Sequence, residues 1–383
     1  MKAAGRLNHI KEYYFSIKLD EIRQLKASGE DIINLGIGSP DLAPSPRVIE
    51  KAIETLKSND SHGYQAYNSI PDLRLAFSEF YSKVYNVNLD FEKEILPLMG
   101  SKEGVMHLSL AFLNSADGVL IPDPGYPAYA SAAKICGARV LYYNLLEKNN
   151  WLPDLEELRS MDLSGVRIMW VNYPHMPTGK VAPAGVLKNL IEFGKENNIL
   201  IINDNPYSLI LNSEPLSLLS FDPLKNYSME LNSLSKSYNM AGWRVGMIAG
   251  SEDNIKNVLK VKSNIDSGMF LPVQHAAIEA LRTEGEWIDN LNSIYERRRE
   301  IVYKILNILG SPYREDQAGL FVWSGLPPAY ESSYDYSDYL LKKYGVFITP
   351  GSVFGTNGRK HIRTSLCLPE ELLQKCLKRI TSK

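Results

Sequence analysis

From about residue 94 to residue 250 the chain alternates short apolar runs with stretches of helical periodicity. The runs are EILPLM, GVLIPD, ARVLYYN, GVRIMWVN, ILIINDN, YSMELNSL and WRVGMIAG. Among the segments between them, Lys102 to Leu113, PAYASAAKICG and APAGVLKNLIEFGKENN read as helices. This alternation predicts an α/β fold: a large domain with a mostly parallel sheet flanked by helices. In such sheets ligands gather beyond the carboxyl ends of the strands, so the residues just after each run are the first to read for chemistry.

The pattern changes after GMFLPVQHAAIEALRTEGEW. A long charged helix, about Glu286 to Leu309, leads to GLFVWSGL, a helical stretch near SDYLLKKYG, a strand KHIRTSL and a last helix. These predict a second, smaller α+β domain. The expected division is an amino-terminal arm and part of the small domain over 1–40, the large domain over 41–285 and the carboxyl-terminal small domain over 286–383. Residues 1–40, with DIINLGIGSPDL, are expected to return and pack on the small domain.

Composition narrows the function. A formal charge of −2 over 383 residues, with 22% charged, argues against a nucleic-acid surface or a basic membrane patch. No stretch approaches the roughly 20 apolar residues of a membrane span, and MKAAGRLNHIKEYYF lacks the apolar core of a signal peptide. A cytoplasmic protein is expected. Cys136, Cys367 and Cys376 are too scattered for a disulfide framework or a zinc site, and the six histidines show no metal-ligand spacing, so no protein-bound metal is expected.

Several strand ends carry suggestive residues. NDNPY places Asp204 and Tyr207 at the end of the most apolar run. A carboxylate there needs a cationic partner, for which a ligand is one solution, or it serves as a helix or turn cap. MGSKEG sets Ser101 and Lys102 at the opening of a helix, where free N–H groups favour an anion, although an ordinary helix start has the same look. LGIGSPDL lacks the third glycine of a dinucleotide fingerprint and contains Pro40, which rules that reading out. PDPGYP carries Tyr126, either a cover for a flat ligand or a half-buried core residue. HIRTSL carries Arg363, suited to a two-bond fork with a carboxylate of a ligand or of the protein. In SLSKSYNMAGWRVG, Lys236 lies among small hydroxyl residues with Arg244 eight positions on.

Taken together these residues describe one ligand. A phosphate would meet Ser101, Lys102, Ser233 and Arg244; a protonated ring nitrogen would meet Asp204; a phenolic oxygen would meet Tyr207; an aldehyde would react with Lys236. A flat phosphorylated pyridine aldehyde fits, which points to pyridoxal 5′-phosphate with Lys236 as the Schiff-base lysine.

Over nearly its whole length the chain resembles the class I and II aminotransferases, which are fold-type I pyridoxal-phosphate enzymes. The resemblance rests on the order GSK, PDPGYPAY, NYP..PTG, DNPY, SLSK with an arginine eight residues on, and the late IRTSL. It implies catalytic roles for Lys236, Asp204 and Tyr207, and carboxylate binding by Gly38 through its N–H and by Arg363. It implies that Tyr126 stacks on the cofactor ring, and that Tyr64 in HGYQAYNSIPDLR reaches the phosphate of a neighbouring subunit, hence a homodimer with a shared active site. The expected activity is transfer of an amino group between an L-amino acid and a 2-oxo acid. The same scaffold also supports carbon–sulfur β-lyases and, less often, non-catalytic sensing proteins.

One position departs from the family's Asn-Pro-Thr-Gly: YPHMPTG has Met176 where the asparagine donates to the phenolic oxygen. A thioether cannot donate, so a more basic Schiff base is expected unless the loop brings Asn172 round. Lys102 also resembles a lysine some relatives use for an acidic side chain, and the surroundings look most like members acting on diaminopimelate, aspartate or neutral amino acids. Tyr13, Tyr14 and Phe15 either line the substrate entrance or anchor the amino-terminal arm, with anchoring favoured.

Overall fold

The computed structural model describes residues 1–9, 14–283 and 285–382, so Tyr13 lies outside the described residues. In chain order the strands are β1 (Ile33–Asn34), β2 (Ile95–Leu98), β3 (Gly118–Asp123), β4 (Arg139–Asn144), β5 (Val166–Val171) and β6 (Leu200–Asp204). They continue with β7 (Ser228–Ser233), β8 (Gly246–Ala249), β9 (Phe321–Gly325), β10 (Val346–Phe347), β11 (Thr349–Pro350) and β12 (His361–Ser365).

Seven of them form one sheet in the order β2-β8-β7-β6-β5-β3-β4. All its parallel pairings join β3 to β7, and β8 alone runs against its neighbours β2 and β7. The strands are apolar at successive positions because both faces are covered. Ile202 packs with Leu108, Tyr129 and Val258 on one face, whereas Ile201 packs with Leu187, Leu190 and Phe193 of the helix Ala184–Asn197 on the other. Val119 and Ile121 likewise share the first cluster, while Leu120 between them joins the second.

The later strands make an antiparallel sheet, β11-β12-β9, and β1 pairs in parallel with β10. Residues 33–34 thus dock on an element more than 300 residues away. The helix Gly285–Leu309 joins this region, and its Arg298 makes a buried fork to Asp41 at 2.7 and 2.9 Å and donates to the Leu366 carbonyl at 3.1 Å. That fork ties three parts of the chain together beside the segment Gly36–Asp41. Leu120, Val171 and Ile201 of the large sheet share one apolar cluster with Val322, Ile348 and Ile362, so the core runs on between the two sheets.

Among the described residues, no helix is long and apolar enough to cross a membrane.

Candidate active site

The carboxyl ends of the parallel strands converge on a cavity of about 570 Å³. Asp204 ends β6, Asn172 follows β5, Tyr126 follows β3, and Ser233 ends β7 just before the one-turn helix that carries Lys236. The reversed direction of β8 puts its amino end at the same edge, which brings in Arg244. Gly38, Tyr207 and Arg363 complete the wall, the last from β12. Every site residue expected from the sequence lines this cavity except Tyr64, which is 93% exposed on a loop outside it.

At one end the helix Ser101–Phe112 opens with Gly100 at φ 91°. A Cβ on Gly100 would stand 2.1 Å from Nη2 of Arg244, so glycine both permits the turn and lets the guanidinium lie against the helix start. Ser233 and Ser235 add hydroxyls, with Ser233 Oγ accepting from the Ser235 N–H at 3.1 Å. Helix N–H groups, hydroxyls and a guanidinium form an anion cradle of the kind a phosphate requires. Glu103 braces it from behind: its carboxylate accepts from the Met99 N–H at 2.6 Å and meets His107 Nε2 at 2.8 Å. Acceptor atoms of Glu103, His107 and Asp266 lie within 4.8 Å of one another, but the Lys262 ammonium, 2.7 and 2.8 Å from the Asp266 oxygens, already supplies a cation there.

In the middle of the cavity Asp204 is buried. Its Oδ2 accepts from the Tyr129 hydroxyl at 2.8 Å, and its Oδ1 has no hydrogen-bond partner among the described residues. It caps no helix or turn. Burial pushes its carboxyl up to about 6, with the Tyr129 hydroxyl pulling down and the buried carboxylate of Glu230 pushing up. A buried acceptor aimed at nothing is costly, and a cationic N–H would satisfy it. Tyr129, stacked on Trp170 at 4.7 Å, holds the carboxylate still.

Lys236 Nζ donates to the Gly38 carbonyl at 2.8 Å. Burial lowers its pKa; Cys367 opposes this, while the charges of Arg363 and Arg244 add to it. The shift is in the direction of the neutral amine, the nucleophilic form. Tyr126 stands at the wall with its ring edge-on to Tyr129 at 5.5 Å, and Tyr207 packs edge-on to Phe321 at 6.1 Å. An aldehyde-bearing pyridine phosphate fits this set: cradle, orphaned carboxylate oxygen and buried amine face one space.

Met176 lines the same space, but its sulfur meets Arg363 Nη1 at 3.2 Å. Asn172 does reach the cavity wall, yet its amide donates to the Asp204 carbonyl and its Oδ1 accepts from the Met176 N–H at 2.8 Å. That bond uses one of the two amide hydrogens of Asn172. Phe15 lines the cavity and packs in its wall with Phe354 at 6.3 Å, whereas Tyr14 leans on Tyr334 at 5.6 Å, so the two neighbours divide the entrance and anchoring roles. The sequence reading overlooked Tyr129 and Ser235; their proximity to PDPGYP and SLSK was the available signal.

The cavity, its cradle and its buried lysine on this fold define a pyridoxal-phosphate enzyme, and comparison with known proteins makes the class specific. The family pattern "Aminotransferase class I and II" matches residues 30–380. An LL-diaminopimelate aminotransferase of Dehalococcoides mccartyi is 37% identical over 384 aligned residues, covering 100% of this chain and 99% of that protein. One from Halothermothrix orenii is 35% identical over 99% of this chain and 98% of its own. Among solved structures, apo-BacF from Bacillus subtilis superposes with a TM-score of 0.95 at 33% identity, covering 100% of this chain and 98% of that one. Aspartate aminotransferase from Thermus thermophilus with maleate gives 0.93 at 25%, covering 100% and 99%. The chain belongs to the class I and II aminotransferases. It is a pyridoxal-phosphate-dependent aminotransferase of fold type I, acting between amino acids and 2-oxo acids.

Proposed function

We propose that the chain carries its cofactor on Lys236 and moves an amino group from an L-amino acid to a 2-oxo acid in this cavity. When bound, pyridoxal 5′-phosphate supplies an aldehyde that links to an amine and a ring that withdraws electrons from the substrate's α-carbon. Ser101, Lys102, Ser233 and Arg244 bind its phosphate. Asp204 Oδ1 keeps its ring nitrogen protonated, Tyr126 covers the ring face and Tyr207 donates to the phenolic oxygen. Arg363 and the Gly38 N–H take the substrate carboxylate. The Lys236 amine would take the substrate's α-proton at Nζ and give it back to the carbon on the far side of the amino nitrogen.

The observation that carries this reading is the buried, unpartnered Oδ1 of Asp204 in the same cavity as Nζ of Lys236. Borohydride reduction of the loaded protein followed by peptide mapping should place the cofactor on Lys236, and Lys236→Ala should lose turnover by at least about a thousandfold. A label on another lysine, or an active Lys236→Ala, overturns the assignment.

The relatives' names support LL-diaminopimelate as the first donor to try. Single-turnover spectra against this compound, aspartate, methionine and phenylalanine rank the donors. The same relatives favour transfer over carbon–sulfur elimination. A cytoplasmic homodimer completes the proposal. The dimer is supported by exposed Tyr64, Tyr67, Ile265 and Phe270 on two loops that meet where Gly268 passes the Gln65 and Ala66 carbonyls.

A further inference from the structure

A second carboxylate stands behind Asp204. Glu230 of β7 is fully buried and lies opposite Asn203 in the register of β6 on β7, one position before Asp204. Successive residues of a strand point to opposite faces of a sheet. Asn203 accordingly meets Glu230 on one face, whereas Asp204 meets Tyr129 on the other.

Four donors surround Glu230. The Asn203 amide and the Leu218 N–H both donate to Oε2 at 2.9 Å, and the hydroxyls of Tyr81 and Ser217 both meet Oε1 at 2.9 Å. The Asn203 amide is oriented by its own oxygen, which accepts from the Tyr173 N–H at 3.0 Å. Among the described residues no lysine, arginine or histidine pairs with Glu230; the ionisable groups in its field are Tyr81, Tyr85 and Asp204. Burial pushes its carboxyl up, and the four donors pull it down.

Hydrogen bonding alone does not call for a carboxylate here. A glutamine would satisfy the same set: its oxygen would take the two N–H donors and its amide would donate to the two hydroxyls, which accept as readily as they donate. A buried carboxylate without a cation is costly. What it adds over the amide is charge, and in a protein core a charge is felt across a sheet.

We propose that Glu230 is a positioning residue for the cofactor's ring nitrogen: its charge, set behind Asp204, acts with that of Asp204 to hold a proton on the nitrogen. Asp204 touches the proton. Glu230 deepens the negative potential from outside the cavity. This rests on Asp204 facing the ring nitrogen.

The test compares two ligands, pyridoxal 5′-phosphate and its analogue with carbon in place of the ring nitrogen, each titrated into apo-protein and followed by fluorescence. Both carry the phosphate and the aldehyde, but only the first takes a proton in the ring. Glu230→Gln should cut the preference for the cofactor over its carbon analogue by roughly tenfold, the effect of one unit charge on the order of 10 Å away. Glu230→Asp, which keeps the charge, should retain most of the preference. In cofactor-free protein at pH 8, Glu230→Gln should raise the unfolding temperature more in the parent than in the Asp204→Asn background, where the facing charge is gone.

A preference unchanged in Glu230→Gln, or lowered equally in Glu230→Asp, would mean that the side chain serves only the packing of the sheet, and the proposal fails. Equal temperature gains in both backgrounds would overturn it as well. Asp204→Asn is the separate control. If it leaves the preference intact, the ring nitrogen does not lie at Asp204 and that assignment is wrong; if it abolishes the preference while Glu230→Gln does not, only the role of Glu230 is refuted.

Discussion

Asp204 Oδ1 is a polar atom placed at a cost to the fold. With the carboxyl at about 6 in the folded chain against an ordinary 3.8, the folded state holds this proton more tightly than the unfolded state does. Its contribution is therefore favourable below the unfolded value, is lost as pH rises through about 6, and amounts to a penalty on the order of 3 kcal/mol above it. Cofactor-free Asp204→Asn should unfold at a higher temperature than the parent at pH 8, with the gap closing between pH 6 and pH 4. Thermal scans at fixed pH check this, and a gap independent of pH would dispose of the argument. The loaded variant should lose most of its activity, since an amide does not hold the ring nitrogen protonated. At this scale the sequence marked Asp204 at the end of an apolar run, Lys236 among small hydroxyl residues with Arg244 eight positions on, and Arg363 inside a β-like run. It did not show that Asn172 bonds to the Asp204 backbone or that the Met176 sulfur meets Arg363. Those contacts depend on how two loops close, and no local pattern encodes that.

At the scale of elements, the strands of the large sheet were legible because helices on both faces demand unbroken apolar runs. The reversed direction of β8 was not, since an apolar run reads the same whichever way it is laid in a sheet. Yet that reversal is what delivers Arg244 to the helix Ser101–Phe112. β1, β10 and β11, two residues each, were also beyond reach, being defined by partners elsewhere in the chain rather than by their own pattern. The cradle they do not touch makes its own prediction. Gly100→Ala would hold an alanine at φ 91° with its methyl 2.1 Å from Arg244 Nη2. Cofactor affinity should fall by roughly tenfold or more, from backbone strain and a displaced guanidinium together. Fluorescence titration of the apo-protein with pyridoxal 5′-phosphate measures it, and unchanged affinity would mean that Arg244 does not hold the phosphate.

For the whole molecule, the site built by one chain lacks Tyr64. A tyrosine 93% exposed gains little where it stands, and Tyr67, Ile265 and Phe270 on its own loop and the adjoining one are exposed as well. In the proposed dimer, Tyr64 of the partner subunit would donate its hydroxyl to the phosphate. Tyr64→Phe should weaken cofactor binding by roughly tenfold or more, the value of one hydrogen bond to a charged acceptor. Sedimentation should return an unchanged dimer mass, because the ring remains. A monomeric parent protein, or a Tyr64→Phe variant with parental cofactor affinity, would show that the loop has another purpose. The residue was found through resemblance alone, because a group completed by a second chain leaves no trace in the pattern of the first.

The segment Gly36-Ile37-Gly38 limits how the protein can be redesigned. A Cβ at Gly36 would stand 2.3 Å from the Phe347 ring and one at Gly38 would stand 2.0 Å from Phe321, while their carbonyls receive Arg363 and Lys236. Both flanking positions are closed to variation, yet Ile37 between them opens on the cavity. A library meant to alter donor preference would hold the two glycines constant and randomise Ile37 with Leu19, another aliphatic side chain of the cavity wall. Selection for new substrates can then act without disturbing the atoms that perform the transfer.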